Sequence, residues 1–600
     1  MHRHIIIFLV IVSLITAGCQ KNETKTTETG KEIVLILDPK EGNPRNSEGD
    51  FIVLKDGKIL FVYTYFTGGA GDNASAYLAG RSSNDQGKTW TKEDVIILSN
   101  EADMNIMSVS LLRLDNGNIA LFYLRKNSES NCIPMMRISK DEAKTWSEAK
   151  ACVKDPGYYV MNNDRVIQLK NGRLIFPLSL HKTPDTEVSA MGKLICYYSD
   201  DNGESWMSSK GIENTNSVTS QEPGLIELND TKLLLFCRTE SGVQYFSFSD
   251  DHGETWSSLE PGNIKSPLSP ASIERIPKTG DLLLLWNNNF ETGRDGGKRT
   301  PYTLAISTDE GKNWRKIKAV ESNPNGHYCY TAIEFIDDHV LLGHCAGDTK
   351  YHSGLATTQI TRLSLDWIYG DATSDPYIET DSVGIIKLAC ADKNAEIRYT
   401  MDETLPSKTS FLYGSPLKID RVTNIRMQSF NPDKTPSKIV SSNIGSSVFQ
   451  QAQEVSNKVE DGLTYQYYEG LFNYTDEILK STSISSGITS QFSIDRSRLK
   501  TNFAFVFSGY IKIPKDGLYT FYLKSNDGSV MYLNDQKLID NDNAHGVYEK
   551  MTSTSLKAGM HKLKVEYFQQ GGGSLLEVYW ENEETPKELI GKEVLFHDLN

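Results

Sequence analysis

From about residue 50 to residue 370 the chain writes one pattern six times. Two short apolar runs flank a polar turn, as in FIVLKDGKILFVY, SLLRLDNGNIALFY and VIQLKNGRLIFP. These turns centre on Gly57, Gly117 and Gly172, with looser versions at Thr231, Gly280 and Asp338. An Asx-Gly pair between apolar alternations predicts a β-hairpin, because glycine supplies the positive φ that the turn needs. The turns recur roughly every 50 to 60 residues, the spacing of a unit with about four strands.

A second repeat, Ser-x-Asp-x-Gly-x-x-Trp, falls between the hairpins and ends at Trp90, Trp146, Trp206, Trp256 and Trp314. Its Ser and Asp bond the backbone of a tight turn, its Gly permits a positive φ, and its Trp packs the turn onto the unit. Ala143 stands where the other copies have Gly. The box therefore reads as structural punctuation. The expected fold is all-β: a six-bladed β-propeller over residues 31–370. The sixth unit has no box, and its segment LATTQITRLSLDWI is expected to pair with EIVLIL (residues 32–37) and close the ring.

Six hundred residues exceed one core. The 63 basic and 78 acidic side chains give a net charge of -15, which argues against nucleic acid as a partner. After Cys19, the cysteines at 132, 152, 196, 237, 329, 345 and 390 form no CxxC pair, and most lie in apolar runs. They read as buried thiols; neither a metal nor a cofactor is expected.

The first residues, MHRHIIIFLVIVSLITAGC, read as a signal peptide over residues 1–19. Thr16-Ala17-Gly18-Cys19 resembles a bacterial lipobox, which implies lipidation of Cys19. A polar tether at 20–30 follows. The expected location is the bacterial cell envelope, lipid-anchored to the membrane, periplasmic or at the cell surface.

The interleaved hairpins and boxes resemble the Asp-box sialidases (neuraminidases) over residues 31–370. The resemblance implies a retaining exo-glycosidase acting on sialylated or other acidic glycans. In that family three Arg hold the substrate carboxylate, a Tyr attacks, a Glu deprotonates it, and an Asp protonates the leaving group. Guanidinium forks match a carboxylate, and a phenol needs an adjacent base. SQEPGLIELNDTKLLLFCRTE implies Glu222 as base and Arg238 as the second Arg. GGKRTPYTLAISTDEGKNW implies Arg299 as the third, and HYCYTAIEFIDDHVLL implies Tyr330 as nucleophile, with Tyr328 beside it. In NPRNSEGDFIVLKDGKIL the family's first-Arg offset falls on Glu48, with Arg45 three residues earlier, so Arg45 is carried as first Arg and Glu48 or Asp50 as its competitor. The Gly-rich loop before the first box offers Asp72 as acid. Arg165, beside Asp164 in GYYVMNNDRVIQL, faces the same mouth by repeat register and is a further substrate-binding residue. His181 and His344, on separate units, form no ligand spacing.

Two β-sandwiches are expected to follow. Residues 371–450, with EIRYTMDETLPS, resemble the chitobiase C-terminal module, a spacer. Residues 455–600 resemble the protective-antigen-type β-sandwich, whose members bind glycans, some through calcium; Asp527, Asp535, Asp540 and Asp542 are the acidic candidates. The alternatives to a sialidase are a propeller glycosidase for another acidic sugar and a non-catalytic cell-surface glycan-binding protein.

Overall fold

The computed structural model describes residues 30–599 apart from 230, 290–297, 352, 383–384, 420–422, 445–447, 456–457 and 572. The signal-peptide, lipidation and tether readings, including Cys19, lie outside the described residues, save Gly30.

The described chain is nearly all-β. Each hairpin turn closes where its apolar runs predict: Val53 pairs with Ile59, Arg113 with Ile119, Gln168 with Leu174, Glu227 with Leu233, Arg275 with Leu282, and Ile336 with His339. Gly57, Gly117, Gly172 and Gly280 take φ between 81° and 91° at these turns. Where glycine is missing, Thr231 (φ 67°) and Asp337 (φ 50°) enter the same region at a side chain's steric cost.

The strands fall into antiparallel units. The fourth (Gln221–Glu227 onward) and fifth (Ser272–Arg275 onward) are separate four-stranded sheets. The first three share a 13-stranded sheet, joined by single parallel contacts, Ala76 with Asn105 and Tyr158 with Cys132. In the last, Lys31–Leu37 pairs with Thr358–Ser364, from Lys31 opposite Leu363 to Leu37 opposite Thr358, so the N-terminal strand completes the C-terminal unit. Among the described residues no single sheet closes on itself, although the Gly326–Ile336 strand packs against Arg45–Val53.

The boxes behave as a folding device. Ser199 Oγ donates to Asp201 and accepts from the Gly203 amide at 2.8 Å, while Asp201 accepts from the Ser205 amide at 2.9 Å. Trp206 packs 5.0 Å from Phe176. Ala143 keeps the box geometry with φ 60°, so the backbone demand outlasts the glycine.

Two further pairs of sheets follow. A three-stranded and a four-stranded sheet share a core of Ile386, Leu388, Ile397, Ile425 and Met427. An eight-stranded and a four-stranded sheet enclose an aromatic core including Phe503, Phe505, Phe521, Tyr567 and Trp580.

Candidate active site

The segments that lead into five of the hairpin turns depart from regular strand geometry. Glu48 (φ 53°), Ser108 (60°), Asp164 (54°), Glu222 (46°) and Tyr330 (57°) all have left-handed backbone. For a non-glycine residue this costs on the order of 1–2 kcal/mol. Breaks in register bracket four of them: Ser47/Asp50, Met107/Ser110, Gln221/Gly224 and Cys329/Ala332. A bulge re-aims a side chain that plain alternation would send elsewhere. Here the bulges gather Glu48, Ser108, Glu222 and Tyr330 on a cavity of about 380 Å³, which Asp72, Lys126, Arg238 and His181 also line.

The Tyr330 hydroxyl donates to Glu222 Oε1 at 3.1 Å. Burial and the neighbouring Glu222 push the phenol well above its ordinary value, so a base within reach is required to ionise it. The other carboxylate oxygen of Glu222 lies 3.3 Å from Arg238 Nη1, and Arg238 Nη2 donates to Gln221 at 2.7 Å. Arg299 lies 5.5 Å from the Tyr330 ring centroid and donates to Cys329 Sγ at 3.0 Å. Tyr328, the sequence's other tyrosine at this strand, packs inward on Tyr302 and His344 and lies off the cavity.

Behind Glu48 and Asp72, Arg45 is 2% exposed and divides its guanidinium. Nη1 donates to Asp72 at 2.5 Å and Nη2 to Glu48 at 3.0 Å. Arg45 and Glu48 thus occupy one pocket as a pair. Burial pushes the Glu48 carboxyl up to about 7, against the pull of Arg45. At Asp72 burial would raise the carboxyl, but Arg45 outweighs it and holds the group below its ordinary range. The Asp72 side chain remains 63% exposed, on the Gly-rich loop.

Arg165 does not join them. The expectation that it faces this mouth is corrected: its side chain is absent from the lining of this cavity and is held by backbone oxygens elsewhere. Asp164 and Arg165 line a second cavity of about 540 Å³, with Asp50, Glu274 and Glu334. Arg165 donates to Ala271 O at 2.8 Å and Asp164 O at 3.0 Å. Asn163 braces the first site instead, donating to Gly49 O at 2.7 Å and Tyr330 O at 3.1 Å. His181 Nδ1 donates to Ser189 O at 2.7 Å, and His344 is stacked on Tyr302. In the C-terminal sheets, Asp527 accepts from the amides of His545, Gln570 and Gly571, while Asp542 accepts from Thr475. Sequence reasoning missed Ser108, Asn163 and Lys126. Counting nine residues back from the turn, as for Glu48 and Glu222, gives Ser108; no sequence signal marked Lys126.

Residues 61–340 match the model of the BNR repeat-like domain, residues 386–444 the Fn3 associated model, and residues 460–593 the PA14 domain model. A sialidase of Clostridium perfringens is 26% identical over 278 residues, covering 41% of this chain and 71% of that protein. One from Bacteroides fragilis is 27% identical over 218 residues, covering 34% of this chain and 37% of the relative. A solved intramolecular trans-sialidase of Ruminococcus gnavus superposes with a TM-score of 0.44 and 17% identity, over 54% of this chain and 96% of the other. The chain spans only part of each curated relative's length.

Proposed function

We propose that this protein is a sialidase, a retaining exo-glycosidase that releases terminal sialic acid from glycoconjugates, with the units of residues 31–370 arranged as six blades of a closed propeller. The observation that carries the reading is the Tyr330–Glu222 contact at 3.1 Å, flanked by Arg238 and Arg299. Similarity to sialidases supports the substrate class.

In this mechanism Arg45, Arg238 and Arg299 receive the substrate carboxylate. Tyr330 Oη attacks the anomeric carbon while Glu222 takes the phenolic proton, and Asp72 gives its proton to the departing oxygen. Water then attacks the glycosyl-tyrosine, Asp72 accepts its proton, Glu222 returns one to Tyr330, and configuration is retained. A neutral nucleophile avoids the repulsion that a carboxylate would meet from the anionic sugar. In the free protein Arg45 holds Asp72 ionised. A substrate carboxylate competes for that guanidinium and releases Asp72 to carry the acid's proton.

Turnover of a fluorogenic sialoside tests the reading. Wild type is expected to hydrolyse it, and Tyr330→Phe to lose about a thousandfold or more in kcat. No turnover, or turnover unchanged in Tyr330→Phe, sinks it. A second reading, a glycosidase for another acidic sugar, is favoured by Glu48 sharing the Arg45 pocket; hydrolysis of a uronic-acid glycoside alone would select it. The same proposal places the chain at the cell envelope through a lipidated Cys19. It gives the 371–450 module a spacer role and the 455–600 module glycan contact, as expected of chitobiase-type and protective-antigen-type sandwiches.

A further inference from the structure

Lys126 has no role in the chemistry above. It sits near the end of the Ile119–Ser128 strand, is 2% exposed, and lines the same cavity as Tyr330 and Glu222. Its Nζ donates to the Asp72 backbone oxygen at 3.2 Å and lies 5.0 Å from the Tyr158 ring centroid. Among the described residues no carboxylate is within ion-pair distance of it. An ammonium has three hydrogens to donate, and removing it from water is costly unless a partner replaces the water. One carbonyl and one ring face leave that demand unmet.

The arginines beside it are already committed. Arg45 is divided between Glu48 and Asp72, Arg238 faces Glu222 and Gln221, and Arg299 donates to Cys329. Glu48 in particular consumes positive charge that a substrate carboxylate needs. Among the described residues Lys126 is in no ion pair; its charge helps hold the Asp72 carboxyl below its ordinary range and also reaches whatever enters the cavity.

We propose that Lys126 is a specificity-determining substrate-binding residue. Its ammonium donates to an acceptor oxygen of the acidic sugar, and its charge offsets Glu48. A lysine offers donors and no acceptor, so the sugar must turn an oxygen, and not an amide N–H, toward this wall. The claim rests on the sialidase reading for its substrate.

The test uses the full chain with two probes, a fluorogenic sialoside for turnover and the unsaturated glycal of sialic acid for calorimetric binding. Lys126→Met and Lys126→Gln are expected to raise KM and the glycal Kd about ten- to a hundredfold, the worth of a charge-assisted hydrogen bond. kcat is expected to change less than about threefold, and Lys126→Arg to keep most of the affinity. Unchanged KM and Kd, or loss of kcat at constant KM, overturns the proposal; the latter would make Lys126 a positioning residue for Asp72. If none of the three variants melts like wild type, the ammonium is structural and the proposal falls. Glycal binding without turnover, weakened in Lys126→Met, topples the sialidase reading and leaves this one standing. Turnover with Lys126→Met unaffected does the reverse, and neither binding nor turnover by wild type defeats both.

Discussion

Tyr330 and Glu222 meet only because both sit on left-handed bulges, and Glu48 reaches Arg45 in the same way. The bulge at Glu48 has a consequence for pH. Burial raises its carboxyl to about 7, so below that pH it is largely neutral and only Asp72 competes with a substrate carboxylate for Arg45. Above it, the Glu48 charge holds Arg45 and repels the substrate. KM for a sialoside is therefore expected to climb as pH rises through about 7, and Glu48→Gln to flatten that climb while lowering KM at pH 8. A KM–pH profile of the variant that parallels wild type would refute this.

At the scale of the element, the box fixes backbone conformation more strictly than it fixes residue type. Gly253 has φ 92°, and an added Cβ would come within 2.2 Å of Ile175. Gly253→Ala is expected to cost about 2 kcal/mol or more, from backbone strain and overpacking together. Ala143 already bears the strained conformation at φ 60°. Ala143→Gly is expected to gain about 0.5–1 kcal/mol, the left-handed penalty of Ala less the greater chain entropy of Gly. Denaturant midpoints of the two variants check both; a stabilising Gly253→Ala would show that the box tolerates a side chain there. The hairpins were legible because their turn chemistry is local. The bulges before the hairpin turns were not, since no turn residue announces them and the strand residues around them read as ordinary alternation.

At the scale of the molecule, two features govern stability. Hydrogen bonds from the seventh box residue hold Asp141, Asp201 and Asp309 down to about 2. Their pKa is lower folded than unfolded, where it is about 3.9. Their stabilisation is therefore complete above about pH 4 and is lost as pH falls toward 2. Thermal melting between pH 5 and 2 is expected to show that loss, with Asp201→Asn removing part of the slope; an unaltered slope rejects the role. The second feature is the pairing of Lys31–Leu37 with Thr358–Ser364. Deleting residues 30–37 strips the outer strand from the last unit and bares an edge. Light scattering and melting of the truncated chain are expected to show association and a lower Tm; a monomer as stable as wild type contradicts it.

The sequence by itself determined the repeating units, their turns, the box geometry, the strand that completes the last unit, and the residue types assembled around Tyr330. Those follow from local rules: alternation, glycine at positive φ, and short polar side chains capping turns. Tertiary structure alone decided which side chains share a cavity. It sent Arg165 to a second cavity, where the Ala271 and Asp164 carbonyls hold it, paired Arg45 with Glu48 and Asp72 together, and brought Lys126 into the wall from another unit's strand. Those outcomes depend on bulges and on neighbours far apart in the chain, where the field and the space belong to the whole fold and to no single segment.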